Sequence, residues 1–205
     1  EFKANKAHGM GFYFHSNGDI YKGQWENDKR NGRGTYQFLS GSVYTGNWVD
    51  NMMHGKGKFD YNHGCHYRGE FQSNMKEGKG IYIWNNQNKY TGEWKNNAMK
   101  GFGVMEYWNL HKYVGEWDNN KKNGQGIFTF NEGHMFDGQF VDDVRNGKGK
   151  MIYFKGSAVE ETYDGDWRND KRHGEGTYIY RVDDGSTYEG QWDNDIRHGF
   201  GKITH

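Results

Sequence analysis

Nine Gly-x-Gly triplets recur at a nearly fixed interval: Gly9/Gly11, Gly32/Gly34, Gly55/Gly57, Gly78/Gly80, Gly101/Gly103, Gly124/Gly126, Gly147/Gly149, Gly174/Gly176 and Gly199/Gly201. The interval is 23 residues six times, then 27, then 25. A chain with such a period builds one small unit repeatedly, and each unit buries its apolar face against the next. Between the triplets runs an aromatic-x-Gly-x-aromatic motif, bounded by Tyr21/Trp25, Tyr44/Trp48, Tyr67/Phe71, Tyr90/Trp94, Tyr113/Trp117, Phe136/Phe140, Tyr163/Trp167 and Tyr188/Trp192. The step from its last aromatic to the next triplet is always seven residues, so the two longer periods carry their extra residues before Tyr163 and before Tyr188.

Six more glycines, Gly18, Gly41, Gly64, Gly133, Gly156 and Gly185, fall midway through the segment between triplet and motif, with Gln87 and Leu110 at the same place in the two exceptions. Triplets, motifs and midpoints together account for all 32 glycines, so none is left over for a phosphate-binding loop. The midpoint glycines, flanked by Asn, Ser or Asp, read as hairpin turns that need positive φ. The polar stretch after each motif, such as Glu26 to Asn31, reads as a link to the next hairpin.

Period two supplies the strands. The second and fourth residues after each triplet are mostly large and apolar, as in Tyr36/Phe38, Phe59/Tyr61, Tyr82/Trp84, Phe128/Phe130 and Tyr178/Tyr180. In the motif the two aromatics and the glycine share one face, while intervening residues such as Lys22 and Gln24 point to a wet one. A glycine at one strand position in eight motifs implies a close approach there, for which a ring from a neighbouring hairpin is the natural candidate. The fold expected is all-β: an elongated, single-layered antiparallel meander of tandem 23-residue β-hairpins. Residues 1–205 form one continuous array of about eight complete repeats, with partial repeats at both ends that read as a window on a longer chain.

Composition agrees with a core made of rings. Hydrophobic residues are only 33% of the chain but aromatics are 18%, which argues against disorder, since disordered segments are poor in aromatics. Lys plus Arg and Asp plus Glu are equal at 27 each, so no overall basic excess favours nucleic acid or an anionic membrane, although a local patch stays open. The single cysteine, Cys65, fits a reducing compartment, and no apolar run approaches a membrane span or signal peptide, so a cytoplasmic location is expected.

The alternation of Tyr-x-Gly-x-Trp, a polar stretch and Gly-x-Gly resembles the MORN repeat, over essentially the whole chain. Departures are mild: Phe71 and Phe140 for Trp, Phe136 for Tyr, Met105 and Met151 at ring positions, and the two insertions. The resemblance implies non-catalytic modules. In that family some repeats line an aromatic groove for a partner helix or peptide, some attach to lipid kinases or a methyltransferase, and some are proposed to touch phospholipid. Long near-regular arrays resemble cytoskeletal and ciliary scaffolds, including radial-spoke heads. The expected role is therefore a structural scaffold for proteins of a large assembly, in a ciliary axoneme or other cytoskeletal structure, with a phospholipid-binding module or the regulatory region of a larger enzyme as the alternatives.

Two strips are candidate partner-binding surfaces. One is the aromatic face: Tyr21, Trp25, Tyr44, Trp48, Tyr67, Phe71, Tyr90, Trp94, Tyr113 and Trp117, for which mutual packing is the competing explanation. The other is an apolar strip on the opposite face, Ile81, Ile83, Val104 and Ile127 with Phe12, Phe14, Ile152 and Ile179, suited to self-association or explained by β-propensity alone. No catalytic, cofactor or metal site is expected. His63, Cys65 and His66 stand close together, but Cys65 and His66 point to opposite faces of a strand and no second ligand pair is near. The acidic pairs Asp142/Asp143, Glu160/Glu161 and Asp183/Asp184 read as solvated turns, and no nucleophile stands beside a base.

Overall fold

The structure, a computed structural model, describes residues 1–181 and 185–205, and those residues form strands and turns with no helix. The pair Asp183/Asp184 lies outside the described residues. The chain divides into two compact units, Glu1–Lys100 and Gly101–His205. The first holds β1 (Phe2–Lys3), β2 (Lys6–Ala7), β3 (Gly9–Phe14), β4 (Ile20–Glu26), β5 (Lys29–Gln37), β6 (Val43–Val49), β7 (Met52–Asp60), β8 (His66–Gln72), β9 (Met75–Ile83) and β10 (Lys89–Lys95). Strand β11 (Ala98–Glu106) begins at the boundary. The second unit continues with β12 (Lys112–Asp118), β13 (Lys121–Thr129), β14 (Met135–Val141), β15 (Val144–Tyr153), β16 (Glu161–Arg168), β17 (Lys171–Ile179), β18 (Thr187–Asp193) and β19 (Ile196–Thr204). Within each unit the long strands pair antiparallel with their neighbours in the chain, giving an open meander and not a barrel.

Two kinds of turn alternate. The midpoint glycines sit where the sequence places them: Gly41 N–H donates to the Phe38 carbonyl at 2.9 Å, Phe38 N–H donates to the Ser42 carbonyl at 2.9 Å, and Gly41 has φ 91°. Gln87 and Leu110 take the same left-handed conformation without glycine, at φ 69° and 68°. The other turn corrects the sequence reading. The polar stretch is no link but a second, tighter hairpin, in which Glu26 pairs with Lys29 around Asn27 (φ 51°) and Asp28 (φ 66°). Two successive positive φ values define the two-residue turn whose twist suits antiparallel strands, and Asn and Asp reach that region at little cost. The pairs Asp50/Asn51, Ser73/Asn74, Asn96/Asn97, Asn119/Asn120, Asp142/Asp143, Asn169/Asp170 and Asn194/Asp195 repeat it.

These turns also tie each repeat to the next. The Arg30 N–H donates to Asn51 Oδ1 at 2.8 Å, and the Asn51 N–H returns to the Arg30 carbonyl at 3.1 Å. The same exchange joins Met53 to Asn74, Lys76 to Asn97, Lys122 to Asp143, Arg145 to Asp170 and Arg172 to Asp195. Adjacent repeats therefore share hydrogen bonds as well as apolar surface, which makes one repeat depend on its neighbours.

At Gly32, Gly55, Gly78, Gly124, Gly147, Gly174 and Gly199 the first glycine of the triplet opens a bulge. Gly23 pairs with Gly34 and Trp25 with Arg30, so β5 carries two extra residues there, and Gly32 takes φ 84°. Gln24 closes the bulge by accepting the Arg33 N–H on Oε1 at 2.6 Å; Glu116, Asp166 and Gln191 do the same for Gln125, Glu175 and Phe200. A side-chain acceptor is needed at this position, and every motif has Gln, Asn, Glu or Asp there.

The second glycine of each triplet pairs with the motif glycine, as Gly46 does with Gly57 and Gly138 with Gly149. Over each such pair lies one ring. It belongs to the same strand, two residues before the motif glycine, and not to a neighbouring hairpin as the sequence suggested. A Cβ on Gly57 would stand 2.5 Å from Tyr44 Oη and 2.6 Å from its Cε2, and the hydroxyl donates to the Asn47 carbonyl at 2.9 Å. Seven tyrosines make this bond; Phe136 covers Gly138 and Gly149 without it. Phe136→Tyr should therefore stabilise the chain by about 1 kcal/mol in urea titration, the usual net value of a buried hydrogen bond. An unchanged midpoint would show that the Gln139 carbonyl gains nothing from the hydroxyl.

Candidate interaction surface

The inner face of the meander carries two tiers of rings. The lower tier is the motif itself. Tyr21, Tyr44, Tyr67, Tyr90, Tyr113, Phe136 and Tyr163 are wholly buried, and Trp48, Phe71, Trp94, Trp117, Phe140, Trp167 and Trp192 nearly so. Each Trp or Phe stands edge-on between two motif rings: Trp48 lies 5.1 Å from Tyr44 and 5.5 Å from Tyr21, at 89° and 83°. Edge-to-face geometry at these separations is the favoured aromatic arrangement. The indole N–H is also satisfied, Trp48 donating to the Gly34 carbonyl at 3.2 Å and Trp167 to Gly149 at 2.8 Å. Burial drives the tyrosine pKa values up, Tyr21 to about 12. Nine of the ten motif rings named as candidate anchors are thus core; Trp25 alone is half-buried.

The upper tier is formed by the second and fourth residues after each triplet. In the first unit Tyr13, His15, Tyr36, Phe38, Phe59, Tyr61, Tyr82 and Trp84 run in contact, with centroids 4.4 to 5.9 Å apart. In the second, Tyr107, Phe128, Phe130 and Tyr153 form a similar row, bridged by His134 from the end of a midpoint turn, and Tyr153 reaches Tyr178, which in turn meets Tyr180. Apart from Tyr36 and Tyr178, which are buried, and Tyr13, which is exposed, these rings are half-buried. A single-layered sheet has nothing of its own to lay over them.

Cations sit among the rings at a position the sequence reading passed over. Two residues after each of the eight tight turns from Asn27/Asp28 onward stands Arg30, Met53, Lys76, Met99, Lys122, Arg145, Arg172 or Arg197. The Arg30 guanidinium is 4.5 Å from the Trp48 ring centroid and 4.9 Å from Tyr36; Lys76 Nζ is 4.6 Å from both Tyr82 and Trp94. Burial among rings lowers the Lys76 pKa to about 8, and that of Lys122 falls for the same reason. The signal was present: once the polar stretch is aligned as a turn, one position is Arg, Lys or Met in all eight stretches that follow a complete motif.

At the start of the first unit the upper tier borders an open cleft of about 650 Å³ lined by Phe2, Tyr13, His15, Trp25, Asp28 and Arg30, among others. His15 Nε2 is the one buried side-chain polar atom with no hydrogen-bond partner among the described residues. Of the residues weighed for metal binding, Cys65 is buried, His66 Nδ1 meets Asp60 Oδ1 at 2.6 Å and His63 stacks on Tyr61. Asp142 and Asp143 form a turn, Glu160 accepts the Gly156 N–H, and Glu161 accepts the Tyr178 hydroxyl.

The apolar strip lies on the outer face. Ile83 in the first unit and Ile127 in the second are 38% and 37% exposed, while Ile81 and Val104 are half-buried. Within the second unit Val104 pairs with Val114 and Val114 with Ile127, beside Phe102, which is 55% exposed.

No match was found among curated proteins. Among solved structures the chain is similar to the TCP domain of Drosophila melanogaster SAS-4, solved in complex with a proline-rich motif of Ana2, at 12% identity over 73% of this chain and 81% of that one, with a TM-score of 0.45. It is also similar to the TCP10 domain of Danio rerio CPAP, at 8% identity over 89% and 84%, with a TM-score of 0.49. At that level of likeness no role transfers. A family model for the MORN repeat matches nine tandem segments, residues 1–20, 21–43, 44–66, 67–89, 90–107, 113–135, 136–158, 163–184 and 188–205. With ring, glycine pair and turn recurring in step with those segments, the chain belongs to the MORN-repeat family.

Proposed function

We propose that this array is a non-catalytic scaffold that holds protein partners along its upper tier of rings. The observation that carries the reading is the row of half-buried aromatics with cations between them. Stacked rings in a groove bury area at small entropic cost, and Arg and Lys beside them add polar recognition, a composition typical of interface anchors. The occupant is a peptide or helix that presents apolar side chains at the repeat spacing. The proposed setting is a cytoplasmic, cytoskeletal assembly, the ciliary axoneme and its radial spokes in particular.

The test is capture from axonemal extract by the recombinant chain and by Phe38→Gln/Tyr61→Gln and Phe130→Gln variants. Each variant should keep its circular dichroism spectrum and lose its specific companions at least tenfold. Undiminished capture by both would remove the upper tier as the binding site. Companions that are lipid kinases, or flotation of the chain with phosphoinositide vesicles, would replace the scaffold with a membrane or enzyme-regulatory role.

A further inference from the structure

The zero net charge of the chain conceals a division. Residues 1–100 contain 14 Lys and Arg against nine Asp and Glu, whereas residues 101–205 contain 13 against 18, so the two units carry formal charges of +5 and −5. Much of the imbalance lies on the outer face, which the rings do not cover. In the first unit Lys22, Arg33, Lys56, Lys58, Arg68 and Lys79 are all exposed there. Lys22, Arg33 and Lys56 surround an open trough of about 570 Å³ with Thr35 and Thr45 on its floor. Lys58 and Arg68 stand directly opposite in register, a like-charge arrangement that costs stability unless an anion lies across it. Lys58 has an ion pair with Asp60 at 2.9 Å; Lys22, Arg33, Lys56, Arg68 and Lys79 have none among the described residues.

In the second unit the corresponding face bears Asp164 and Glu189 on either side of Thr177, flanked in the same row by Lys150 and Lys202, with Glu175 one row away. All three carboxylates are exposed and have no ion pair among the described residues. Because both faces are built from the same repeat, their charged rows share the strand-to-strand pitch of about 4.8 Å. Two surfaces of equal pitch, on units of opposite net charge, are complementary.

We infer that the outer face of the first unit docks on the outer face of the second unit of another copy of this chain, with Lys22, Arg33, Lys56 and Arg68 against Asp164, Glu175 and Glu189. The exposed Phe102 and Ile127 give the acidic unit's face an apolar margin. Copies that meet with like units together are repelled, so the charge division also sets orientation.

The experiment is sedimentation equilibrium on the full chain, at 50 and 500 mM salt. The wild type should exceed its 24.0 kDa monomer mass at 50 mM, and its association constant should fall at least tenfold at 500 mM. A variant with Arg33→Glu, Lys56→Glu and Arg68→Glu, and a second with Asp164→Lys, Glu175→Lys and Glu189→Lys, should each remain monomeric. An equimolar mixture should associate again, because each then offers the charge the other has lost. All six positions are exposed, so both variants should keep the wild-type urea midpoint. A wild type that stays at 24.0 kDa at 50 mM, variants that associate as it does, or a mixture that fails to associate would overturn the proposal. Wild-type monomers whose basic face instead binds an unrelated acidic protein or anionic vesicles would overturn it too.

Discussion

Gly57→Ala should destabilise the array by about 3 kcal/mol, far more than an alanine in an exposed strand ordinarily costs. Gly57 does not have a left-handed φ, so backbone strain is not the reason. The new methyl would have to occupy the place of the Tyr44 ring, whose Cε2 and Cζ lie 2.6 and 2.7 Å from it. That ring cannot retreat, because it is wholly buried, held edge-on by Trp48 and Phe71, and bonded through its hydroxyl to the Asn47 carbonyl. Overpacking of this kind costs about 1 to 3 kcal/mol, and the absence of any slack places this case at the upper end. Gly133→Ala is the informative contrast: nothing lies within 4 Å of its added methyl, and the φ of 88° alone should cost about 1 to 2 kcal/mol. The cause is isolated by repeating Gly57→Ala in a Tyr44→Ala background. With the ring gone the second substitution should cost less than about 1 kcal/mol, a coupling of about 2 kcal/mol. Additive losses in urea titration would mean that the ring is not what excludes a side chain.

The second large effect is at the motif tryptophans. Trp48→Ala removes a ring that is 3% exposed, packed on Tyr21, Tyr36 and Tyr44, covered by Arg30 and bonded to the Gly34 carbonyl. Loss of a buried Trp costs about 3 to 5 kcal/mol. The Gly34 carbonyl and the Arg30 cation also lose a partner, which favours the upper half of that range. Trp108, 68% exposed, should tolerate the same change within about 0.5 kcal/mol. Since the repeats share hydrogen bonds across their turns, the loss should lower the unfolding midpoint of neighbouring strands as well. Native-state hydrogen exchange of β5 and β7 reads that directly. Faster exchange confined to β6 would show that repeats are independent.

The sequence made the period, the strands and one class of turn legible because glycine marks them all. It concealed the other class. Asn27-Asp28 and Asn119-Asn120 read as generic polar linker, although Asn and Asp tolerate the left-handed region nearly as glycine does and so can turn a chain between two residues. With that turn unrecognised, the strand after it began too late. The position of Arg30 and Lys76 among the rings, and the bulge-closing task of Gln24, went unseen with it. The source of the ring over each glycine pair was also beyond period-two reasoning, which places Tyr21 and Gly23 on one face but cannot say that the ring bends along its own strand.

The burial of the motif rings was hidden for a related reason. Motif and post-triplet rings share a face, and alternation does not rank them by depth. Depth follows from the glycines: rings beside a paired glycine sink onto the backbone, and Phe38, Tyr61 and Phe130, which have no such neighbour, stay half-buried above them. The division of charge between the halves was visible in the residues but hidden by the sum.

Hydroxyl-radical footprinting of the whole chain, read ring by ring by mass spectrometry, tests the two-tier surface most directly. The structure requires Trp108, Phe38, Tyr61 and Phe130 to be oxidised readily and Trp48, Trp94, Trp117, Tyr44 and Tyr67, none more than 5% exposed, to be protected about tenfold or more. Motif tryptophans oxidised as fast as Trp108 would contradict it, since those rings would then be open anchors and the array would lack the core described here.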